Sequence, residues 1–173
     1  MEKNKLIQKY LAFLATQPKG FIYRGEKKQH KKQQTLEALN CRYINCNACP
    51  LGAQGRTQVV FGNGNVGANI MFVGEGPGRD EDERGLPFIG RAGQLLTKII
   101  EAMGLRREDV YISNVVKCRP PGNRTPLPNE SDVCKKLLLL KEIDLIQPKI
   151  ICTLGATATQ ALLGADVTIT RAR

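Results

Sequence analysis

The chain has 173 residues, 42% of them hydrophobic, enough for one substantial core with appendages. Its longest apolar stretches, such as IMFV and LLLL, fall far short of the roughly 20 residues that cross a bilayer as a helix, so no part reads as a transmembrane helix. The formal net charge is +10, with nine Lys or Arg against three Glu in residues 1–40, which excludes an acidic solvating chain and favours a polyanionic partner, nucleic acid above all.

Leu6, Ile7, Tyr10, Leu11 and Leu14 recur at helical spacing and predict an amphipathic helix over 2–16, ending before Pro18 and Gly20. The following FIYRGEKKQHKKQQ is charged and poor in apolar residues and reads as a linker or basic loop, with a short helix near Gln33 to Leu39. Residues 1–40 thus form a basic helical extension, either nucleic-acid-binding or merely solvated. From Thr57 a βα alternation sets in: strand TQVVF, turn GNGN, strand NIMFV, a long Gly-rich loop, helix RAGQLLTKIIEAM closed by Gly104, and strand VYISNVV. The Pro-rich RPPGNRTPLP then leads into a single helix, PNESDVCKKLLLLKEIDLI, with Asn129 or Ser131 as its N-cap, followed by strand KIICTL and helix ATATQALL before Gly164. Buried apolar strands separated by amphipathic helices predict an α/β three-layer sandwich, a mostly parallel central sheet flanked by helices. Ligands of such sheets bind at the carboxyl ends of strands, which points to GEGPG at 74–78 and to Asn114 through Arg119.

Both places lie between cysteines. Cys46 and Cys49 form a C-x-x-C, and Cys118 and Cys134 follow far downstream with 15 residues between them. Soft thiolates at this spacing suit a four-cysteine zinc site or a [4Fe-4S] cluster that ties an early loop to the later half of the chain. Cys152, within the apolar KIICTL, reads as a small buried hydrophobe; Cys41 is ambiguous. No secretory signal opens the chain, so a cytoplasmic setting with reduced thiols is expected, and disulfides are disfavoured.

Gly74-Glu75-Gly76-Pro77-Gly78 is not a dinucleotide fingerprint, because Arg79 stands where the last glycine of G-x-G-x-x-G belongs and Pro77 opposes a helix start there. Such a loop lets backbone approach a ligand closely and places Glu75 beside it; a plain tight turn with a solvated Glu is the alternative. Phe88, in a loop punctuated by proline and glycine, is available to stack on a flat ring or to pack in the core. Asn114 is unusual in an apolar strand. Its buried amide must be paired, either by a structural hydrogen bond or by a ligand edge that needs a donor and an acceptor together.

The C-x-x-C at Cys46 and Cys49, GEGPG, EDERGLPFIGRAGQLL, YISNVVKCRPPGNRTPLPNE, Cys134 and PKIICTLGATATQALLG, in this order, resemble the iron-sulfur uracil-DNA glycosylases of bacteria and archaea. The likeness covers about residues 41–173, read as a uracil-DNA glycosylase-like domain. It implies a [4Fe-4S] cluster on Cys46, Cys49, Cys118 and Cys134, with Glu75 and Gly76 lining a uracil pocket, Phe88 stacking on the flipped base and Asn114 bonding its polar edge. Glu75, Gly76 and Asn114 are the implied catalytic positions. The implied activity is hydrolysis of the N-glycosidic bond of deoxyuridine, in single- or double-stranded DNA, by a monomer with no membrane partner.

Members of that family carry a later His-containing motif and a further strand and helix, whereas the only histidine here is His30, in the basic stretch. A domain incomplete at its C-terminus is therefore expected, and the alternative function is an iron-sulfur DNA-binding module impaired in catalysis.

Overall fold

The computed structural model describes residues 24–164 and Val167. The helix expected over 2–16 lies outside the described residues. Contacts divide the chain into two compact units, Met1–Lys31 and Lys32–Arg173, and the architecture below is that of the second.

The charged stretch expected to be a linker is helical instead: α1 runs Arg24–Tyr43. Lys, Gln, Glu and Leu are all good helix formers, so a segment poor in apolar residues can still propagate once a few side chains dock. Leu36 is buried in the core, and Lys32 Nζ donates to the Ile146 carbonyl at 2.9 Å.

The segment TQVVF, expected as a strand, belongs to no sheet. Val59 and Val60 are buried, and Val60 N donates to the Lys117 carbonyl at 2.7 Å, so the apolar pattern reported burial without pairing. The first strand, β1, is Asn63–Gly64, within the stretch expected as a turn. Gly64 permits it: at φ 132°, a Cβ there would lie 2.1 Å from the Val110 carbonyl oxygen. Only glycine allows so close a backbone approach.

Strand β2 is Ile70–Gly74, and the long Gly-rich loop after it contains a short helix, α2, at Arg79–Arg84. Next come α3 at Arg91–Ala102 and β3 at Tyr111–Asn114. The single helix expected over 128–146 is three pieces: α4 at Pro128–Cys134, a π-helical turn at Lys135–Leu139 and α5 at Leu140–Ile146. Its N-cap is Leu127, not Asn129 or Ser131, because Pro128 at the first helical position starts the helix earlier. Glu130 reaches back to accept from Leu127 N at 2.7 Å. Strand β4, Ile150–Thr153, and helix α6, Ala156–Leu163, follow.

The sheet order is β1-β3-β2-β4, with β1 antiparallel to β3 and the other pairs parallel. Alternation along β2 and β3 sends Met71, Val73 and Tyr111 to a core shared with Leu36, Leu138, Leu139, Ile146 and Ala158. Phe72 and Ile112 point the other way, into a smaller core with Leu96 and Ile100 of α3. Helices thus cover both faces, the expected three-layer α/β arrangement. Among the described residues no helix is long and apolar enough to cross a membrane.

Candidate active site and cysteine pocket

Parallel pairing sets Gly74, the last residue of β2, opposite Asn114, the last of β3. The ladder continues beyond both strands, with Val115 N donating to the Gly74 carbonyl at 2.8 Å and Val116 N to the Glu75 carbonyl at 3.1 Å. The two loops singled out in the sequence therefore leave the sheet side by side. Asn114 is 2% exposed, yet among the described residues its Oδ1 has no hydrogen-bond partner. Leaving a buried acceptor unpaired costs about 1–3 kcal/mol, so the position favours a ligand that donates to it.

Phe88 closes over the same point. A Cβ built on Gly74 would lie 2.3 Å from Phe88 Cζ and 2.6 Å from Asn114 Oδ1, so glycine is what lets ring edge and amide meet above the strand end. Phe88 itself has φ 53°, a left-handed backbone that an aromatic residue adopts only when its surroundings impose it. The imposing contacts are on both sides. Glu81 Oε1 accepts from Ile89 N at 3.0 Å and Gly90 N at 2.9 Å, while its Oε2 accepts from Gly78 N at 3.1 Å. One carboxylate thus ties the end of the GEGPG loop to the Phe88 loop. From the other side, Arg107 Nη2 donates to the Pro87 carbonyl at 2.6 Å and Nη1 to Thr97 Oγ1 at 3.2 Å. Burial lowers the Arg107 pKa, opposed by nearby Glu81.

Glu75 is half-buried, and its Oε2 accepts from Thr157 Oγ1 of α6 at 2.5 Å. Gly76 packs so tightly that a Cβ would lie 2.7 Å from Val116 Cγ2. Phe88 and Asn114 are thus brought together directly, whereas Glu75 is joined to them through the β2–β3 strand ends. Among the described residues no hydrogen bond links the Glu75 carboxylate to either.

Cys46, Cys49, Cys118 and Cys134 line one small pocket with Val59, Lys117, Leu137 and Leu138. The C-x-x-C loop comes from the first 3-10 turn region before Pro50–Ala53, Cys118 from the segment after β3, and Cys134 from the last turn of α4. Arg56 Nη1 donates to Cys118 Sγ at 3.1 Å and to the Cys46 carbonyl at 2.6 Å, and Lys117 N donates to Cys134 Sγ at 3.3 Å. Burial pushes the Cys118 thiol up, against the pull of Arg56, and pushes Cys134 up to about 12. Such thiols need a cation in the pocket before they give up their protons. Among the described residues, however, no three His, Cys, Asp or Glu side chains gather as one shared metal ion requires. Cys41 is exposed, and Cys152 is half-buried against the smaller core, so its reading as a small hydrophobe holds only in part.

A second polar cluster escaped sequence reasoning. Lys117 and Glu142 are fully buried, with Lys117 Nζ 2.6 Å from Glu142 Oε2 and 2.9 Å from the Asn114 carbonyl. Lys117 Nζ also donates to Ser113 Oγ, which in turn donates to Glu142 Oε2 at 2.7 Å. Glu142 Oε1 accepts from Gly62 N at 3.0 Å. The nearest signal was a lysine directly after the apolar VYISNVV, but Glu142 looks like any solvated helix residue.

The sequence model of the uracil-DNA glycosylase superfamily matches residues 61–173. The chain belongs to that superfamily. The motif resemblance is thereby borne out, and relatives within the superfamily place it further. A type-4 uracil-DNA glycosylase of Thermotoga maritima is 50% identical over 145 residues, covering 83% of this chain and 74% of the relative. One from Archaeoglobus fulgidus is 47% identical over 127 residues, 73% of this chain and 63% of the relative. A type-5 uracil-DNA glycosylase of Pyrobaculum aerophilum is 31% identical over 152 residues, 70% of this chain and 66% of the relative. The chain thus spans about three quarters of the Thermotoga protein and under two thirds of the Archaeoglobus one. The GEGPG loop and the Asn114 strand end lie inside the matched region, at the carboxyl ends of β2 and β3.

Proposed function

We propose that this chain removes uracil from DNA by hydrolysing the bond between uracil N1 and the deoxyribose C1′, leaving an abasic site. The observation that carries the reading is the unpartnered Oδ1 of Asn114 beneath the edge of Phe88. A base inside a duplex cannot reach such a position, so the nucleotide must first be extruded. Uracil then lies against Phe88, donates from N3–H to Asn114 Oδ1 and accepts at O4 from the Asn114 amide. Cytosine presents the reverse pattern, an acceptor at N3 and a donor at position 4, and leaves Oδ1 unpaired.

As the C1′–N1 bond breaks, its electron pair passes to uracil N1 and O2, and the sugar gains oxocarbenium character. Water adds to C1′ and loses a proton, while the uracil anion is protonated on release. A backbone N–H of the Gly76 loop would donate to the developing anion. Glu75, steadied by Thr157, is the carboxylate available to orient the water. Phe88 and Asn114 hold the base; Glu81 and Arg107 hold Phe88.

The four cysteines would hold a [4Fe-4S] cluster. In support, four thiols line one pocket, and N–H donors from Arg56 and Lys117 face two of the sulfurs. A cluster takes one thiolate per iron, and four thiols from three separate chain segments supply that set. When bound, the cluster supplies a covalent staple between the early loop and the later half. The partner is uracil-containing DNA of either strandedness, acted on by a monomer in the cytoplasm, with residues 1–40 as a basic extension adding non-specific affinity.

The test is incubation of the iron-loaded chain with oligonucleotides carrying one uracil, followed by alkaline cleavage at abasic sites. Cleavage at uracil and not at cytosine is expected. Binding without uracil release supports instead a DNA-binding module impaired in catalysis.

A further inference from the structure

We propose that the buried Lys117–Glu142 pair is a positioning element for the base-reading site, coupling the wall of the cysteine pocket to Asn114. The proposal rests on the assignment of Asn114 as the group that reads the base.

Two fully buried charges are an expensive way to stabilise a core, since apolar replacements of similar volume often do as well or better. The arrangement of their bonds indicates what this pair does instead. Lys117 has contacts at both ends. Its backbone N–H meets Cys134 Sγ and its backbone carbonyl accepts from Val60, so the main chain is part of the cysteine-pocket wall. Its Nζ reaches back three residues to the Asn114 carbonyl and four to Ser113 Oγ. Glu142 completes the set: one oxygen takes Lys117 and Ser113, and the other takes Gly62 N.

The consequence falls on one peptide unit. The Asn114 carbonyl is the last of β3; the N–H of the same peptide, at Val115, donates to the Gly74 carbonyl at 2.8 Å, while the carbonyl accepts from Lys117 Nζ at 2.9 Å. Lys117 Nζ thus holds the carbonyl side of a peptide whose N–H side is held by β2, and the two together set the direction in which the Asn114 side chain leaves the backbone. That side chain has no other anchor at Oδ1, so its aim depends on the peptide behind it. Glu142 arrives from α5, immediately beyond the π turn that follows Cys134, so the same helical segment supplies a pocket cysteine and the counter-charge.

The experiment uses the iron-loaded full chain. Lys117→Met alone strands Glu142 as an unpaired buried charge and can fail to fold, so the working variant is Lys117→Met with Glu142→Gln, which removes both charges and keeps an acceptor for Gly62 N. It is made with Asn114 intact and with Asn114→Ala, and uracil release is separated into kcat and KM. With Asn114 intact, the double variant is expected to lose about 10- to 100-fold in kcat/KM, the size of effect that a small misplacement of a positioning group produces. In the Asn114→Ala background the further loss should be under about threefold, because the pair acts through the residue already removed. Equal losses in both backgrounds overturn the proposal. A second measurement does not depend on catalysis: the side-chain amide resonances of Asn114 should move in the double variant while those of Asn129 stay in place. Unmoved Asn114 resonances overturn the coupling even if activity falls. A wild-type chain that releases no uracil sinks the activity reading, and the resonances then decide the coupling alone.

Discussion

Phe88 and Asn114 meet over Gly74, where a single added carbon would lie 2.3 Å from the ring and 2.6 Å from the amide oxygen. Gly74→Ala should therefore push ring and amide apart without exposing the core. We expect uracil release to fall by about 100-fold, with the melting temperature lowered by only a few degrees, on the order expected for ~1 kcal/mol. Steady-state kinetics and thermal melting check this together; near-normal kinetics would remove Gly74 from the site.

Glu81 should matter through Phe88. Glu81→Ala releases the N–H groups of Gly78, Ile89 and Gly90, and the strained Phe88 backbone loses its brace on one side. Hydrogen exchange at those three amides should quicken together, leaving Ile112 in β3 protected. Base stacking is worth about 1–3 kcal/mol, so uracil release should fall by roughly 5- to 150-fold, in line with Phe88→Ala. Exchange that quickens at only one of the three would contradict a shared clamp.

Acid should loosen the loop that links the cysteine region to α4. Glu130 accepts from Arg124 at 2.8 and 2.9 Å and from Leu127 N at 2.7 Å, and these contacts, Arg124 first, hold its carboxyl below the ordinary range. A lowered folded pKa means stability that is complete above the unfolded value of about 4.3 and lost as pH falls through the folded value. Melting temperatures of wild type and Glu130→Gln, followed from pH 7 to pH 3, should converge at the acid end. A constant gap would show that the carboxylate charge is irrelevant.

Iron content should separate the cysteines. Serine at Cys46, Cys49, Cys118 or Cys134 should lower bound iron and visible absorbance, and Cys41→Ser should change neither. A colourless wild type holding one zinc, prepared without oxygen, would rule out the cluster.

Residues 1–31 carry eight Lys or Arg against two Glu. Removing them should flatten the dependence of DNA affinity on salt, since each phosphate contact contributes about 0.7–0.9 to the log–log slope. Leu36 and Lys32 stay with the core, so the melting temperature should hold. An unchanged slope would detach the basic extension from DNA binding.

Sequence alone determined the layer architecture, because period-2 and period-3.6 apolar patterns report which faces are buried whatever they pack against. It also singled out Asn114, Phe88 and the four cysteines as candidates, because an amide in an apolar strand, an aromatic in a Gly-Pro loop and thiols at fixed spacing are unusual there, while their roles came from the family resemblance. It misjudged α1, where helix formers outweighed low hydrophobicity, and β1, where pairing depends on the glycine that lets Gly64 approach Val110. Only the tertiary structure decided that Asn114 Oδ1 has no partner among the described residues, that Glu81 and Arg107 brace Phe88, and that Lys117 meets Glu142 in the core. Those facts join residues up to 25 positions apart through contacts that no local pattern encodes. A charged side chain looks the same in sequence whether water or a buried partner satisfies it, and the fold alone chooses between the two.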